Sequence, residues 1–408
     1  MNIVLVNHYA VPPQYYPLAR PSLFAKNLIK MGHNVTIVAA SSIHNSDSKN
    51  LISGKEKSIR IIDNGVPYIL VKCSSYKGNG FGRVKNILQF ARRLPRVLNQ
   101  IKNIDAIIST SFDPLSCYVG IKYAKKHKIK AIAEIADLWP ETLVTYSGMS
   151  PKHPIVKYLR RIEKKIYLKS NGIVFTMEGG YDYIVEQKWD AIIPRSKVFH
   201  INNGIDLNQF RFNCSHFQID DSDLHNHGLF KVVYTGSIRR VNNLGLLLDV
   251  AKCIKLDSVI FLIWGDGDEL AFLTQRVKNE NIKNVVFKGC VEKKYIPYIT
   301  SHADLNIAHN AQSNMFKYGI SFNKIFDYFA AGKPILCDFN SKYNPVVQYG
   351  AGVETKTATP EEIAESIMNF SKINKELYLE YSKNALTAAN DYDFEILTKK
   401  LIDVINNT

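Results

Sequence analysis

The chain reads as an α/β protein of two consecutive Rossmann-like domains, and three observations lead there. At 408 residues it exceeds what one hydrophobic core usually supports. Short apolar runs alternate with amphipathic stretches, the pattern of parallel strands joined by crossover helices. That alternation starts twice, at "NIVLV" and again at "FKVVYTG", so two sheets are expected.

In the first series, "NIVLV" is a short strand and a Pro-rich loop, "NHYAVPPQYYPLARP", follows it. Ser22 is placed to cap a helix with Phe24, Leu28 and Met31 at i, i+4 and i+7; Gly32 ends it, and "NVTIVAA" is the next strand. Such a βαβ unit demands a parallel sheet with helices on its faces. Strands follow at "PYILVKC", "DAIIST", "KAIAEIA" and "GIVFTM". The second series runs "FKVVYTG", "VIFLIWG", "NVVFKG", "LNIAHN" and "PILCD", with helices between, among them "FNKIFDYFAA". The polar segment "NCSHFQIDDSDLHNHG" lies near the join and reads as a surface loop whose histidines (216, 225, 227) lack ligand spacing and face solvent. Domains are expected at 1–200 and 201–388, with the amphipathic tail 389–408 packing back on the first.

Composition narrows the function. With 46% apolar and 22% charged residues the chain is an ordinary soluble type. Six scattered cysteines form no metal-ligand or redox pair, which suggests a reduced cytosolic setting with most of them buried. No secretory signal opens the chain, and no apolar run approaches the roughly eighteen residues of a membrane helix. The expectation is a cytoplasmic protein, at most peripheral on the inner membrane face. Charge is uneven: residues 1–200 hold 30 Lys+Arg against 13 Asp+Glu, and residues 201–408 hold 22 against 24. The first half therefore invites an anionic partner. Two helical stretches, Arg83–Lys102 and Lys157–Lys169, carry six basic residues each. Either is a solvated face or a lipid contact; two in one domain favour an anionic membrane surface. A pI near 9.3 also raises nucleic acid, but no helix-turn-helix, zinc or RNA-binding signature accompanies it.

Two such domains imply a cleft between them, lined by the loops at the carboxyl ends of their strands. In the second domain those loops are chemically suited to a phosphate ligand. Gly236 ends a strand and precedes Ser237, Arg239 and Arg240; Gly265 with Gly267, and Gly289 before Val291, repeat the arrangement. Ser321 and Asn323 open a helix whose free N–H groups favour a diphosphate. Asp327 lies one turn further on, among apolar neighbours. An unpaired carboxylate there would be costly, and accepting two hydroxyl bonds from a ribose explains it better than a weak dipole effect. "YKGNGFGR" resembles a phosphate loop only superficially and reads as a mobile loop.

The strings "VVYTGSI", "FLIWGDGDEL", "NVVFKGCV" and "NKIFDYFAAGKPIL", after "INNGIDLNQF", resemble the retaining nucleotide-sugar glycosyltransferases of GT-B fold, of the large family 4 type. The N-terminal "VNHYAVPP" and "DLWPE" are similar to a subgroup containing fucosamine transferases of bacterial surface polysaccharide assembly. The resemblance implies that Asp327 holds the donor ribose, that Gly236 approaches the diphosphate, and that Gly289–Val291 contact the nucleobase. It departs at Gly319, where many members carry a glutamate, at Ser237 and Asn242, where they carry Arg and Lys, and at Ala136, where they carry His. Arg239, Arg240 or Lys324 then meets the phosphate charge, with Arg239, Lys324 and Asp137 as catalytic candidates and His8 and Arg20 on the acceptor side. The implied reaction moves a sugar from a nucleotide diphosphate, UDP above all, to a hydroxyl of a lipid-linked O-antigen or capsule glycan. No metal or other cofactor is expected. A 2-epimerase of the same architecture, and a nucleotide-binding scaffold that has lost catalysis, are the rival readings.

Overall fold

The computed structural model describes residues 1–16, 18–44, 46 and 49–408. Pro17, part of the stretch read as a Pro-rich loop, lies outside that set. The chain divides into two units, Met1–Asn202 with Phe394–Thr408, and Asn203–Asp393.

The first unit runs β1 (Asn2–Val6), α1 (Arg20–Lys30), β2 (Asn34–Ala40), β3 (Ser58–Asp63), β4 (Val66–Val71), α2 (Phe81–Leu98), β5 (Ala106–Thr110) and α3 (Pro114–Lys126). It continues with β6 (Lys130–Ile135), α4 (Glu141–Ser147), α5 (Pro154–Lys169), β7 (Gly172–Phe175), α6 (Gly180–Glu186) and β8 (Val198–His200). The sheet order is β3-β4-β2-β1-β5-β6-β7-β8, parallel except where β3 meets β4. Every residue of β5 and β7 is buried, as expected of strands covered on both faces. Strand order reverses between β1 and β5, so their carboxyl ends frame a crevice.

The second unit holds α7 (Leu207–His216), β9 (Phe230–Thr235), α8 (Gly245–Cys253), β10 (Val259–Trp264), α9 (Leu270–Asn279), β11 (Val285–Gly289) and α10 (Ile296–Ser301). After these come β12 (Leu305–Ala308), α11 (Asn323–Ala331), β13 (Ile335–Cys337), α12 (Pro345–Gln348), β14 (Gly352–Glu354), α13 (Pro360–Phe370) and α14 (Lys375–Asp391). Its six strands are all parallel in the order β11-β10-β9-β12-β13-β14, with the switch point between β9 and β12. The final helix, α15 (Phe394–Asn407), belongs to the first unit. There Phe394 meets Phe24 edge-on at 5.2 Å, and Lys130 Nζ donates to the Ile405 carbonyl.

Several expectations are corrected. Ser22 does not cap α1: the helix starts at Arg20, and the Ser22 hydroxyl donates back to Ala19. Phe81, Gly82 and Arg83, read as loop, form the first turn of α2. Residues 213–216 end α7 rather than open a loop, and Leu224 of the remaining segment is buried. Only three of the six cysteines (73, 117 and 337) are buried; Cys290 is exposed. Strand β3, and its hairpin with the expected strand β4, went unread, although Asn64-Gly65, both at positive φ, is a strong two-residue turn signal.

Candidate functional site

The loops after β9, β10 and β11 lie shoulder to shoulder, joined through their backbones. Gly236 N–H donates to the Trp264 carbonyl, Ile238 to Asp266, and Gly265 to Gly289, at 2.8–3.0 Å. The approach is so close that a Cβ on Gly265 would fall 1.8 Å from the Gly236 oxygen. Only glycine permits that contact, which accounts for the strand-end pattern in the sequence. Ser237 is exposed, and its carbonyl and hydroxyl both accept from Asn242 Nδ2, at 2.6 and 2.8 Å. Ser237 and Asn242 therefore shape this loop. Arg239 and Arg240 are exposed beside it. Neither guanidinium has a hydrogen bond or ion pair among the described residues.

α11 starts at Asn323 without a side-chain cap and without an acid in its first turn. The Ile325 N–H donates to the Phe322 carbonyl, and those of Asn323 and Lys324 are left for another acceptor. Ser321, just before it, is tied to Asn203, whose Nδ2 donates to the Ser321 carbonyl at 2.8 Å. Asn323 and Asp327 share one face at i, i+4 spacing. The Asp327 carboxylate has no hydrogen bond or ion pair among the described residues. Burial pushes it up to about 6, with Lys293, on the turn after β11, pulling it down. That pull places the carboxylate within electrostatic reach of the loop carrying Gly289 and Val291.

Lys324 and Tyr328 occupy a neighbouring face. Tyr328 OH meets the N–H and hydroxyl of Thr235 at the end of β9. Lys324 Nζ donates to the His309 carbonyl at 3.0 Å and lies 4.3 Å above the Tyr234 ring. Desolvation lowers this ammonium to about 8, against the nearby Asp338 charge. The His309 ring joins Asp338 through Nδ1, and its Nε2 lies 3.1 Å from the Asn243 carbonyl. Both side chains are fully buried. Sequence reasoning missed His309 and Asp338, though each ends a strand ("LNIAH", "PILCD"), as the glycines do. Gly319 adopts φ 101°, a backbone conformation that residues with a side chain rarely take.

In the first unit His8 is buried. Its ring is stacked between Tyr9 and Phe90 at 4.5 and 4.9 Å. Nδ1 lies 3.0 Å from Asp113 Oδ2, so His8 spans the crevice between β1 and β5. Nε2 meets Asn86 Oδ1, whose amide donates to Ser74 and Ser42. Arg20 is likewise consumed, by Glu134 and the carbonyls of Ile201 and Asn202. Both residues order strand-end loops and stand behind the surface. Asp137, after β6, is different. Its residue is exposed, yet protein crowds the carboxyl and pushes it up to about 6, with Arg83 opposing. Arg83 itself donates to Tyr9 OH and Asn79.

Two α/β units with parallel sheets, the second carrying strand-end glycines, an uncapped helix start and a half-buried unpaired acid, are those of a GT-B protein. Residues 23–209 match the family model Glycosyltransferase Family 4, and residues 216–387 match Glycosyl transferases group 1. Together they take in nearly the whole chain, which is a glycosyltransferase. No curated protein matches it. Among solved structures, it is similar to Anabaena HepE in complex with UDP, at 14% identity over all of both chains, with a TM-score of 0.68. It also resembles the E. coli trehalose-6-phosphate structure bound with UDP-2-fluoro glucose, at 9% identity over 100% of this chain and 99% of that one, with a TM-score of 0.73. A glycosyltransferase from Rickettsia africae matches at 15% identity over 99% and 97%, with a TM-score of 0.66.

Proposed function

We propose that this enzyme transfers the sugar of a UDP-sugar to a hydroxyl of a lipid-linked glycan, with UDP leaving and the anomeric configuration retained. The product would be a bacterial surface polysaccharide of O-antigen or capsule type, in keeping with the resemblance to the fucosamine-transferase subgroup. Asp327 carries the donor half of this reading. A carboxylate held partly buried without a partner is costly in a fold; two ribose hydroxyls donating to it would supply what the protein does not. The UDP complexes of the Anabaena and E. coli neighbours support the same ligand. Lys324, Arg239, Arg240 and the start of α11 offer positive charge for the leaving diphosphate. With those groups in place the reaction is proposed to need no metal, and excess chelator should leave turnover unchanged.

Asp137, exposed and unpaired among the described residues, is the proposed acceptor-side group. A lipid-linked acceptor fits the basic first unit and two of its helices. On α2, Phe81, Val84 and Leu88 are exposed beside Lys85, Arg92 and Arg96; on α5, Ile155 and Tyr158 are exposed beside Lys157 and Arg161. Mixed apolar and basic faces of this kind suit an anionic membrane surface. No helix among the described residues is long and apolar enough to cross a membrane.

The test is turnover of a nucleotide-sugar panel with a lipid-diphosphate glycan in anionic vesicles. Acceptor-dependent UDP release is expected, with the product anomer matching the donor by NMR. An inverted anomer, or an epimerised donor without acceptor, would overturn the proposal.

A further inference from the structure

We infer that His309 is a positioning residue for the diphosphate end of the donor, an inference that rests on the donor-site reading above. One residue holds both elements that reading assigns to phosphate. Its backbone carbonyl fixes Lys324 Nζ at 3.0 Å, and its ring reaches across the switch point to the Asn243 carbonyl, which closes the 236–243 loop. Asn243 is in the left-handed region at φ 53°, so a bond to its carbonyl fixes an uncommon backbone turn.

The protonation pattern follows from the partners. A carbonyl only accepts, so Nε2 must carry a hydrogen. Nδ1 faces Asp338, and whichever of the two holds the intervening proton, the Nε2–H bond persists. The other oxygen of Asp338 is buried without a partner among the described residues, so His309 is its principal anchor. Lys324 spends two of its three N–H donors on His309 and Tyr234, leaving one for a phosphate oxygen.

The experiment compares UDP with uridine by calorimetry, in the wild type and in three variants. His309→Gln can place an N–H where Nε2 stands; His309→Leu and His309→Asn cannot. UDP affinity is expected to fall about tenfold or more in the Leu and Asn variants and to stay within about threefold in the Gln variant, with uridine affinity unchanged throughout. A purely structural role would weaken both ligands together. If His309→Leu does not fold, Gln against Asn reads the same point. Equal UDP affinity in Gln and Asn, or parallel losses for uridine, overturns the inference. Asp327→Ala, run alongside, separates the two layers. If that variant keeps full UDP affinity, the donor-site reading itself falls; if it loses affinity while the His309 series is flat, only the positioning role does.

Discussion

At position 327 the fold tolerates a carboxylate for which it supplies no partner. Its pKa stands at about 6 against a usual 3.8, so the folded state keeps a proton that the unfolded chain gives up between those values. Stability therefore falls as pH rises through that window and stays reduced above it. Asp327→Asn should raise the thermal midpoint at pH 7.5, while weakening UDP by roughly tenfold to a hundredfold, the scale of one or two charge-assisted hydrogen bonds. A structural acid would lose stability on the same change. Lys324 has the opposite sign: its ammonium is lowered to about 8, so the charge a phosphate needs is lost above that pH. The pH profile of UDP affinity should rise through about 6 and fall through about 8. Its acid limb should be shallower in Asp327→Asn, a comparison that removes the titration of the phosphate itself. An acid limb of the same steepness in both proteins contradicts the ribose role.

At the scale of elements, α4, α5 and α6 are pinned by one buried cluster. Arg160 pairs with Glu141 and Glu163, and the hydroxyls of Tyr167 and Tyr183 donate to Glu163 at 2.8–3.0 Å. Burial raises Glu163 to about 8, with Arg160 pulling it down. The folded state thus retains this proton across a range where the unfolded chain has lost it, and stability should decline from about pH 4.5 to 8. Between pH 6 and 8 Asp327 and Asp137 are past their range. His200, which burial lowers to about 4, and Lys197 and Lys324, lowered to about 8, act in the opposite direction. The Glu163 share is the part of the slope that its substitution removes. Melting curves of Glu163→Gln should be flatter there than those of the wild type. The exposed face of α2 makes a separate prediction. Arg93 is excluded from it, because its guanidinium donates to the Lys72 carbonyl. Replacing Lys85, Arg92 and Arg96 by Gln should cut sedimentation with anionic vesicles by up to about a hundredfold, at roughly 1 kcal/mol per basic residue near the surface. Unchanged pelleting would leave that helix as a solvated face.

Over the whole molecule, the sequence was informative where structure is local. Apolar runs and strand-end glycines marked most of the strands, and "FNKIFDYFAA" marked α11 with Asp327 on it. Of the edge strands β11 was legible, whereas β8 and β14 are only three residues long and β3 was missed despite its alternation and its Asn64-Gly65 turn. The tertiary pairings were hidden as well. His8 meets Asp113 across 105 residues and His309 meets Asn243 across 66. Nothing in a local window distinguishes a histidine that bridges two strand ends from one that meets a ligand, and His8 and Arg20, expected on the acceptor side, are both buried.

The central claim is that the second unit grips a nucleoside diphosphate through Asp327, the glycine-lined turns and the start of α11. Calorimetric titration of UDP into the wild-type protein and into Asp327→Ala at pH 7 tests it most directly. Saturable binding by the wild type, reduced at least tenfold in the variant, is the predicted result; equal affinity in the two proteins, or no UDP binding by the wild type, would contradict it.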